Sequence, residues 1–326
     1  MSPMSRNGLM LLVLVLIGIN MRPLLTSIGP LLPQLQQASG MGFTLVSLLT
    51  AIPVIAMGLL ALASPWTQRH ISESRGMVLS LMMIASGAVL REFTPHSGLL
   101  LSSALLGWWS VSRMRPAGQH QAAPQVSGSV FRRRRAWTLG LYFGLINGGY
   151  ASLIAWLPPY YMQLGYSAQF SGTLLAMMTV GQTAGALLIP MLARHDDRRR
   201  LLLLTLVLQL IGFCGFIWLP LQLPLLWAVC GGIGLGGAFP LCLVLALDHA
   251  RHPAIAGRLV AFMQGIGFML AGASPWLSGL LRSLSGNYVL DWAFHAVCVA
   301  ALMGVTLRFV PARYPQAWHR PEHAAD

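Results

Sequence analysis

Residues 9–35 have the sequence LMLLVLVLIGINMRPLLTSIGPLLPQL, and the rest of the chain is best understood from this segment. Eleven apolar or glycine residues come first, and Asn20, Arg22 and Pro23 follow where a membrane-spanning helix would reach the middle of the bilayer. An arginine at that depth costs about 2.5–3.5 kcal/mol on insertion scales, so it rarely faces lipid. We expect the rest of the chain to surround Arg22 with a water-filled cavity, a partner group or an anionic ligand. The alternative is that Arg22 only pairs with backbone carbonyls or extends its side chain to the membrane surface.

The composition supports a membrane protein. Of the 326 residues, 56% are hydrophobic and only 9% are charged. A soluble domain cannot bury that share of apolar side chains, so lipid must surround most of the chain. The net charge of +13 does not indicate nucleic-acid binding, because the arginines lie between long apolar runs rather than along one polar face. The run of arginines at 132–135 is therefore predicted to be a membrane anchor.

Ten apolar runs are predicted to cross the bilayer, the fourth of them short, which predicts an all-α polytopic membrane protein. The runs cover about residues 8–31, 46–66, 76–92, 98–112, 137–157, 171–193, 201–219, 224–247, 259–281 and 292–310. No small-residue cleavage site follows the first run, so we interpret it as a retained span rather than a signal peptide. The predicted domains are an incomplete N-terminal bundle (1–112), a basic cytoplasmic linker (113–135), a six-helix bundle (136–310) and a cytoplasmic tail (311–326).

The distribution of arginine predicts the orientation in the membrane. With ten spans and a cytoplasmic N-terminus, eighteen of the 21 arginines fall on the cytoplasmic side. Only Arg91 and Arg282 fall outside, and Arg22 lies within the membrane. Positive charge concentrates on the cytoplasmic side of inner-membrane proteins, so both termini are predicted to be cytoplasmic.

The two halves of the sequence match each other at an offset of 125–127 residues. The segment 18–20 aligns with 145–147, and the pair at 69–70 aligns with 194–195. Two linked copies of one helix bundle, with equivalent connectors on the same side, are typical of secondary transporters. The match ends at Gly107, and about 70 residues of the second half have no counterpart in the first. The sequence therefore predicts a twelve-span protein reduced to ten by an internal loss.

Four phrases carry a resemblance to a known family. They are NMRPLLTSIGPLLPQL (20–35), RAWTLGLYFGLINGGYASLIAWLPPYY (135–161), GGAFPLCLVLALDH (236–249) and GNYVLDWAFHA (286–296). In these phrases the chain resembles the cyanate transporter subgroup of the major facilitator superfamily, and the likeness extends over residues 9–107 and 136–315. The superfamily's usual signature between spans two and three is degraded here to SPWTQRHISESRG, which keeps Arg69 and Arg75 but lacks the aspartate.

The resemblance implies a two-bundle helical fold and transport of a small anion such as cyanate by alternating access. Members of the subgroup normally carry twelve spans, and this chain departs from them after Gly107. We therefore keep an alternative, in which the chain is a non-transporting or unstable remnant of such a transporter. A polytopic enzyme or sensor is disfavoured, because the sequence has no nucleophile–base set, no metal cluster and no large soluble domain.

A transport site near the middle of the membrane can be predicted from polar residues inside the spans. Arg22 would supply a fixed positive charge, and its guanidinium offers parallel donors to a small anion. Asn20 and Thr26 flank it on the same helix, and Asn147 and Tyr150 occupy the equivalent depth in the second half. Two amides inside later spans, Gln182 and Gln264, complete the predicted substrate-binding set. Each of these side chains could instead form a hydrogen bond between helices.

No cofactor or metal is predicted, and the expected partners are a small anion and the lipid bilayer, with no nucleic acid and a monomeric state. His295 lies inside the last span near Asp291, which leaves a proton-coupling role open. All eight carboxylates, however, fall in connectors, at span ends or in the tail. We therefore expect no proton relay built on buried acids. His249 and His252 are expected to lie in a solvated loop, and the glycine-rich segment at 231–237 is expected to pack helices closely.

Overall fold

The computed structural model describes residues 42–70, 130–193, 195, 197–249 and 253–314. The described residues form helices, as the all-α prediction requires. The helices are α1 (Phe43–Val46), α2 (Leu48–His70), α3 (Arg134–Gln163), α4 (Ala168–Met191), α5 (Arg199–Trp218), α6 (Pro224–Asp248), α7 (Pro253–Ser285) and α8 (Val289–Thr306), with short 3₁₀ turns at Val130–Arg132 and Pro311–Arg313. The first, third and fourth predicted spans lie outside the described residues.

Five of the described helices, α4 to α8, are long and apolar enough to cross a membrane. Helix α3 has 30 residues, which is also long enough, but it carries more small and polar side chains. Most residues of α3 are buried against the neighbouring helices. Because protein rather than lipid surrounds α3, its side chains do not need to be as apolar as those of an outer span.

Several helices begin before the predicted spans. Arg134 and Arg135, predicted to belong to the solvated linker, form the first turn of α3. Asp291, predicted to end a connector, lies in the first turn of α8. The difference has a physical cause: an apolar run records the hydrocarbon core of the bilayer, whereas the backbone hydrogen bonds of a helix continue into the headgroup region.

Glycines bring α3 and α7 into close contact. Gly140, Gly144 and Gly148 are spaced four residues apart, so they form one stripe along α3. A Cβ atom on Gly144 would lie 2.9 Å from Cδ2 of Leu270 and 3.1 Å from Cα of Gly267. Small residues at such a crossing let two backbones approach, as is common between membrane helices.

The glycine-rich segment at 231–237 packs α6 against its neighbours, which confirms the predicted role of these glycines. A Cβ atom on Gly232 or Gly236 would collide with the backbone of α4 at Met178 or Gln182. On another face of α6, a Cβ atom on Gly234 would lie 2.5 Å from the carbonyl oxygen of Thr205 in α5. Helix α6 therefore packs closely against both α4 and α5.

Helix α2, from the predicted N-terminal bundle, packs along α7 from the C-terminal bundle. A Cβ atom on Gly58 of α2 would lie 2.6 Å from the carbonyl oxygen of Gly265 and from the backbone nitrogen of Met269. Gly272, about two turns after Gly265 along α7, faces Ala51 and Ile55 of α2. The two predicted halves therefore meet where glycines replace bulky side chains.

The arginine-rich ends of several helices come together at one end of the bundle. Nε of Arg135, at the start of α3, donates to Nε2 of His249 over 3.0 Å at the end of α6. Nε of Arg198, before α5, lies 2.8 Å from a carboxylate oxygen of Asp248. The expectation that His249 is solvated is wrong, since the residue is only 2% exposed. A stacked Tyr314 ring, with its centroid 3.9 Å from that of the imidazole, covers it.

Candidate functional site

The structure describes four of the seven predicted substrate-binding residues. Arg22, Asn20 and Thr26 lie outside the described residues. Asn147 and Tyr150 lie on α3, Gln182 on α4 and Gln264 on α7. Since α3 and α7 pack against each other, the structure brings Asn147, Tyr150 and Gln264 onto one helix pair.

Asn147 and Tyr150 lie near the middle of α3. The side chain of Asn147 is 8% exposed. Its amide nitrogen donates to the carbonyl oxygen of Phe143 over 2.8 Å, one turn earlier in the helix. This bond uses one of the four hydrogen-bonding capacities of the amide, so the group can still bind another partner. Tyr150 is half-buried and packs against the hydrophobic core.

The two predicted amides on later helices have different surroundings. Gln182 is 4% exposed, and its backbone lies against Gly232 and Gly236 of α6. It therefore belongs to the α4–α6 contact rather than to the α3–α7 pair. Gln264 is half-buried and directly precedes Gly265, the residue at which α7 meets α2. Of the two amides, only Gln264 lies beside the contact between the predicted halves.

Three phenylalanines form an apolar wall next to Asn147. The ring centroid of Phe143 on α3 lies 5.4 Å from that of Phe239 on α6 and 5.2 Å from that of Phe268 on α7. Aromatic rings at these distances contribute to packing beyond the area they bury. A polar group beside an aromatic wall is the usual make-up of a small-molecule site.

A second polar cluster, which we call the serine cluster, continues the glycine stripe of α3. Ser152, four residues after Gly148, places its Oγ 2.9 Å from Oγ of Ser274 and 2.8 Å from Oγ of Ser278. The hydroxyl of Ser278 also donates to the carbonyl oxygen of Ser274 over 3.0 Å. The three hydroxyls are buried, with Ser274 the most exposed at 8%.

The serine cluster contacts a buried acid–imidazole pair on α8. Nε2 of His295 lies 3.5 Å from Oγ of Ser274 and 3.5 Å from Oδ1 of Asp291. Asp291 is fully buried and His295 is 3% exposed. Besides its contact with His295, the carboxylate of Asp291 interacts with the hydroxyl of Ser278.

Aromatic side chains enclose this pair. Phe213 of α5 stacks on the imidazole of His295, with centroids 5.4 Å apart and an interplanar angle of 21°. The ring of Phe294 meets the same imidazole edge-on at 5.2 Å. Such walls keep water from the pair and strengthen electrostatic interactions inside it.

Asp291 lies at a span end as predicted, but the expectation that no acid is buried is wrong there. Its position near the end of a span suggested exposure, but α8 begins two residues earlier and packs against α5 and α7. The spacing of Asp291 and His295, four residues apart, could have indicated a contact on one helix face. The sequence gives no reason to predict the serine cluster, because serine is common between membrane helices.

The described residues contain neither a metal-binding cluster nor a disulfide bond. No three histidine, cysteine, aspartate or glutamate side chains lie close enough to hold a metal ion within the described ranges. The four cysteines are free thiols inside helices. The polar groups of interest are therefore the predicted residues on α3 and α7, and the Asp291–His295 pair with the serine cluster.

Comparisons with known proteins identify relatives over nearly the whole chain. A family model described as Major Facilitator Superfamily matches residues 112–273. The chain is 56% identical to the cyanate transport protein CynX of Escherichia coli (strain K12) in an alignment of 380 positions that covers 95% of this chain and 99% of the relative. It is 23% identical to a 2-nitroimidazole transporter of the same organism, over 91% of this chain and 93% of that protein.

Solved structures with the same arrangement of helices include two transporters. A D-xylose–proton symporter superposes with a TM-score of 0.67 and 10% identity, covering 90% of this chain and 96% of the symporter. The nucleoside transporter NupG superposes with a TM-score of 0.65 and 11% identity, covering 89% of this chain and 97% of that transporter. At these identities the likeness concerns the fold alone.

Proposed function

We infer that this chain, which belongs to the cyanate transporter subgroup of the major facilitator superfamily, transports cyanate or a similar small anion by alternating access. That the chain is a membrane transporter follows from its family. The observation that carries the substrate is the 56% identity to a cyanate transport protein over 99% of that protein's length. The same proposal includes a multi-pass location in the inner membrane, with both termini in the cytoplasm, and a monomeric state.

The internal contacts of the described helices support an alternating mechanism. Helix α2 meets α7 through Gly58, Gly265 and Gly272, so the two backbones approach closely. The side chains of Leu62 and Ile55 pack directly onto these glycines of α7. Rigid bundles can rock against each other about such a line of close contact. Gln264 lies at this contact, and Asn147 lies on the helix packed behind it.

Arg22 is the proposed binding group for the anion. A guanidinium presents planar, parallel donors that suit a linear or planar anion, and it stays charged inside a membrane cavity. Asn20 and Thr26 are proposed to hold the anion from the same span. Asn147, Tyr150, Gln182 and Gln264 are proposed to contact it from the second half, with Gln182 the weakest member because its backbone is tied into the α4–α6 contact.

The proposed internal loss has support in the length of the alignment. The alignment with the Escherichia coli protein spans 380 positions, which is more than the 326 residues of this chain. The relative therefore has residues for which this chain has none. We propose that the loss after Gly107 leaves a transporting protein.

The test is uptake of radiolabelled cyanate by proteoliposomes that contain the purified chain. We expect the wild-type protein to take up cyanate and the Arg22→Ala variant to take up no more than protein-free liposomes. The matched control is Arg258→Ala, which removes an exposed arginine at the beginning of α7 and should transport normally. Uptake that survives Arg22→Ala would remove Arg22 from the mechanism. If well-folded wild-type protein takes up no cyanate, the chain is a non-transporting remnant of such a transporter.

A further inference from the structure

We propose that Asp291 and His295 form a proton-binding site that couples anion transport to the movement of one proton. This proposal rests on the proposed transport function and adds the coupling ion to it. The two side chains lie four residues apart on α8, with Nε2 of His295 3.5 Å from Oδ1 of Asp291. Ionisable groups inside a membrane protein are expensive to bury, so a buried pair of this kind is expected to have a function.

The charge of the pair favours a bound proton. A carboxylate next to a neutral imidazole carries one negative charge, and its burial without a cation is costly. One added proton, held on Asp291 beside a neutral imidazole, makes the pair neutral. In each transport cycle the pair would take up one proton on one side of the membrane and release it on the other. A proton carried with a monovalent anion leaves the cycle electrically neutral.

The surroundings supply little compensating charge in the described part of the chain. Helix α5 presents the aromatic rings of Phe213 and Phe216, and α3 presents Ser152 and the hydroxyl of Tyr160, which donates to the carbonyl oxygen of Phe216. Helix α7 presents Ser274 and Ser278. Its last turns hold Arg282, whose guanidinium carbon lies 5.0 Å from the ring centroid of Tyr288.

Arg282 and Tyr288 mark the side from which a proton could arrive. Tyr288 directly precedes α8 and interacts electrostatically with both Arg282 and Asp291. It is 2% exposed, so it belongs to the buried surroundings of the pair. Asp291 lies within the first turn of α8 and His295 one turn deeper. A proton would therefore reach Asp291 first and His295 second.

The pair is connected to the predicted substrate residues through α3. The hydroxyl of Ser274 lies against Gly148, where a Cβ atom would be only 3.2 Å from it. A Cβ atom on Gly149 would be 3.7 Å from Nδ1 of His295. Asn147 directly precedes Gly148 in α3. A change in the position of Asn147 on anion binding would therefore be transmitted directly to the groups that hold the proton.

A proton fits this site better than a sodium ion. The hydroxyl oxygens of the serine cluster are already bonded to one another and to a carbonyl oxygen. Nε2 of His295 lies 3.5 Å from Oδ1 of Asp291, one of the two carboxylate oxygens to which a metal ion would bind. A sodium ion needs several free oxygen ligands, whereas a proton needs only the carboxylate or the ring nitrogen.

The test compares two kinds of flux in proteoliposomes. Uptake driven by a pH gradient requires net movement of the proton, whereas exchange of internal for external cyanate does not. We expect Asp291→Asn to lose gradient-driven uptake and the accompanying proton flux, reported by a trapped pH-sensitive dye, and to retain exchange. The matched control is Asp197→Asn, which changes a partly exposed carboxylate beside Arg199 and should retain both activities.

Each outcome decides a different point. Gradient-driven uptake that persists in Asp291→Asn, or uptake driven by a sodium gradient and not by a pH gradient, would overturn the proposal. Absence of exchange in the wild-type protein would overturn the transport function itself. Infrared spectra test proton binding without transport: the wild-type protein should show the carbonyl band of a protonated carboxyl group that Asp291→Asn lacks. Identical spectra would mean that Asp291 is ionised and would also overturn the proposal.

The His295→Gln variant provides a second test. Glutamine keeps a hydrogen-bonding group near Asp291 but cannot take up a proton. We expect its infrared carboxyl band to remain, because Asp291 can hold the proton alone, and its gradient-driven uptake to fall relative to exchange. An unchanged ratio of gradient-driven uptake to exchange would exclude His295 from the site.

Discussion

Arg135 and His249 form a hydrogen bond that fixes the protonation state of the histidine. Nε of Arg135 donates to Nε2 of His249 over 3.0 Å, so Nε2 must carry a lone pair rather than a hydrogen. Nδ1 then holds the hydrogen and donates to the carbonyl oxygen of Leu245 over 2.7 Å. Arginine cannot give up its charge in this range of pH, so the contact exists only with a neutral imidazole. The bond joins the beginning of α3 to the end of α6.

The first prediction is that acid weakens this end of the bundle. Burial, with a smaller contribution from the charge of Arg135, lowers the pKa of His249 from 6.5 to about 4. The folded protein therefore binds fewer protons than the unfolded chain between these values. The stabilisation is fully present above pH 6.5 and is lost as the pH falls towards about 4. Thermal unfolding in detergent, followed by tryptophan fluorescence at several pH values, should show this loss.

The control for this prediction is His249→Gln. Glutamine offers Arg135 an acceptor that does not titrate in this range. The variant should lose less thermal stability than the wild-type protein when the pH is lowered from 7.5 to 5. Equal losses in the two proteins would show that other groups cause the acid sensitivity.

The second prediction concerns two glycines on α4. A Cβ atom on Gly185 would lie 2.9 Å from Cα of Ile233 and closer still to its carbonyl oxygen, whereas nothing lies within 4 Å of the Cβ position on Gly172. We expect Gly185→Ala to lower the free energy of unfolding by about 1–3 kcal/mol through overpacking. Gly172→Ala should raise it by about 0.4–1 kcal/mol, because alanine restricts the unfolded chain. Unfolding in detergent measures both, and similar effects would contradict the α4–α6 contact.

The sequence predicts the described helices well because hydrophobicity alone specifies which segments enter lipid. The predicted spans at 171–193, 201–219 and 224–247 coincide with α4, α5 and α6 to within a few residues. The close packing of the 231–237 glycines was also predictable, since glycine in a membrane helix serves mainly to let another helix approach. These features depend on local composition.

The candidate sites were predicted less completely because they depend on how each helix is rotated. The offset between the repeats predicts a site at Asn147, but nothing in the sequence links Ser152 to Ser274 and Ser278, more than 120 residues away. The prediction for Asp291 is wrong because an apolar run indicates only where a span ends and not whether its end is buried. Burial against α5 and α7 is a tertiary property that hydropathy does not contain.

The third prediction concerns the amide of Gln209, in the middle of α5. It is fully buried, and neither its amide oxygen nor its nitrogen has a hydrogen-bond partner in the described part of the chain. An unsatisfied buried polar group costs about 1–3 kcal/mol. Gln209→Met should therefore raise the unfolding temperature without changing cyanate exchange. A lower unfolding temperature would mean that the amide has a partner in the folded protein.

The fourth prediction concerns the contact between the predicted halves at Gly272. A Cβ atom there would lie 2.6 Å from the backbone nitrogen of Ile55 and 2.9 Å from the carbonyl oxygen of Ala51. Gly272→Val should therefore push α2 away from α7 and hinder the closure of one side of the transporter. We expect cyanate exchange in proteoliposomes to fall severalfold while the isolated protein stays monodisperse in detergent.

Gly257→Ala is the matched control, because it lies on the same helix with nothing within 4 Å of its Cβ position. It should exchange cyanate at the wild-type rate. The comparison separates a mechanical effect at the α2–α7 contact from a general effect of adding a side chain to α7. If Gly272→Val transports as well as Gly257→Ala, the two helices do not need to approach each other during the cycle, and the bundles must move about some other contact.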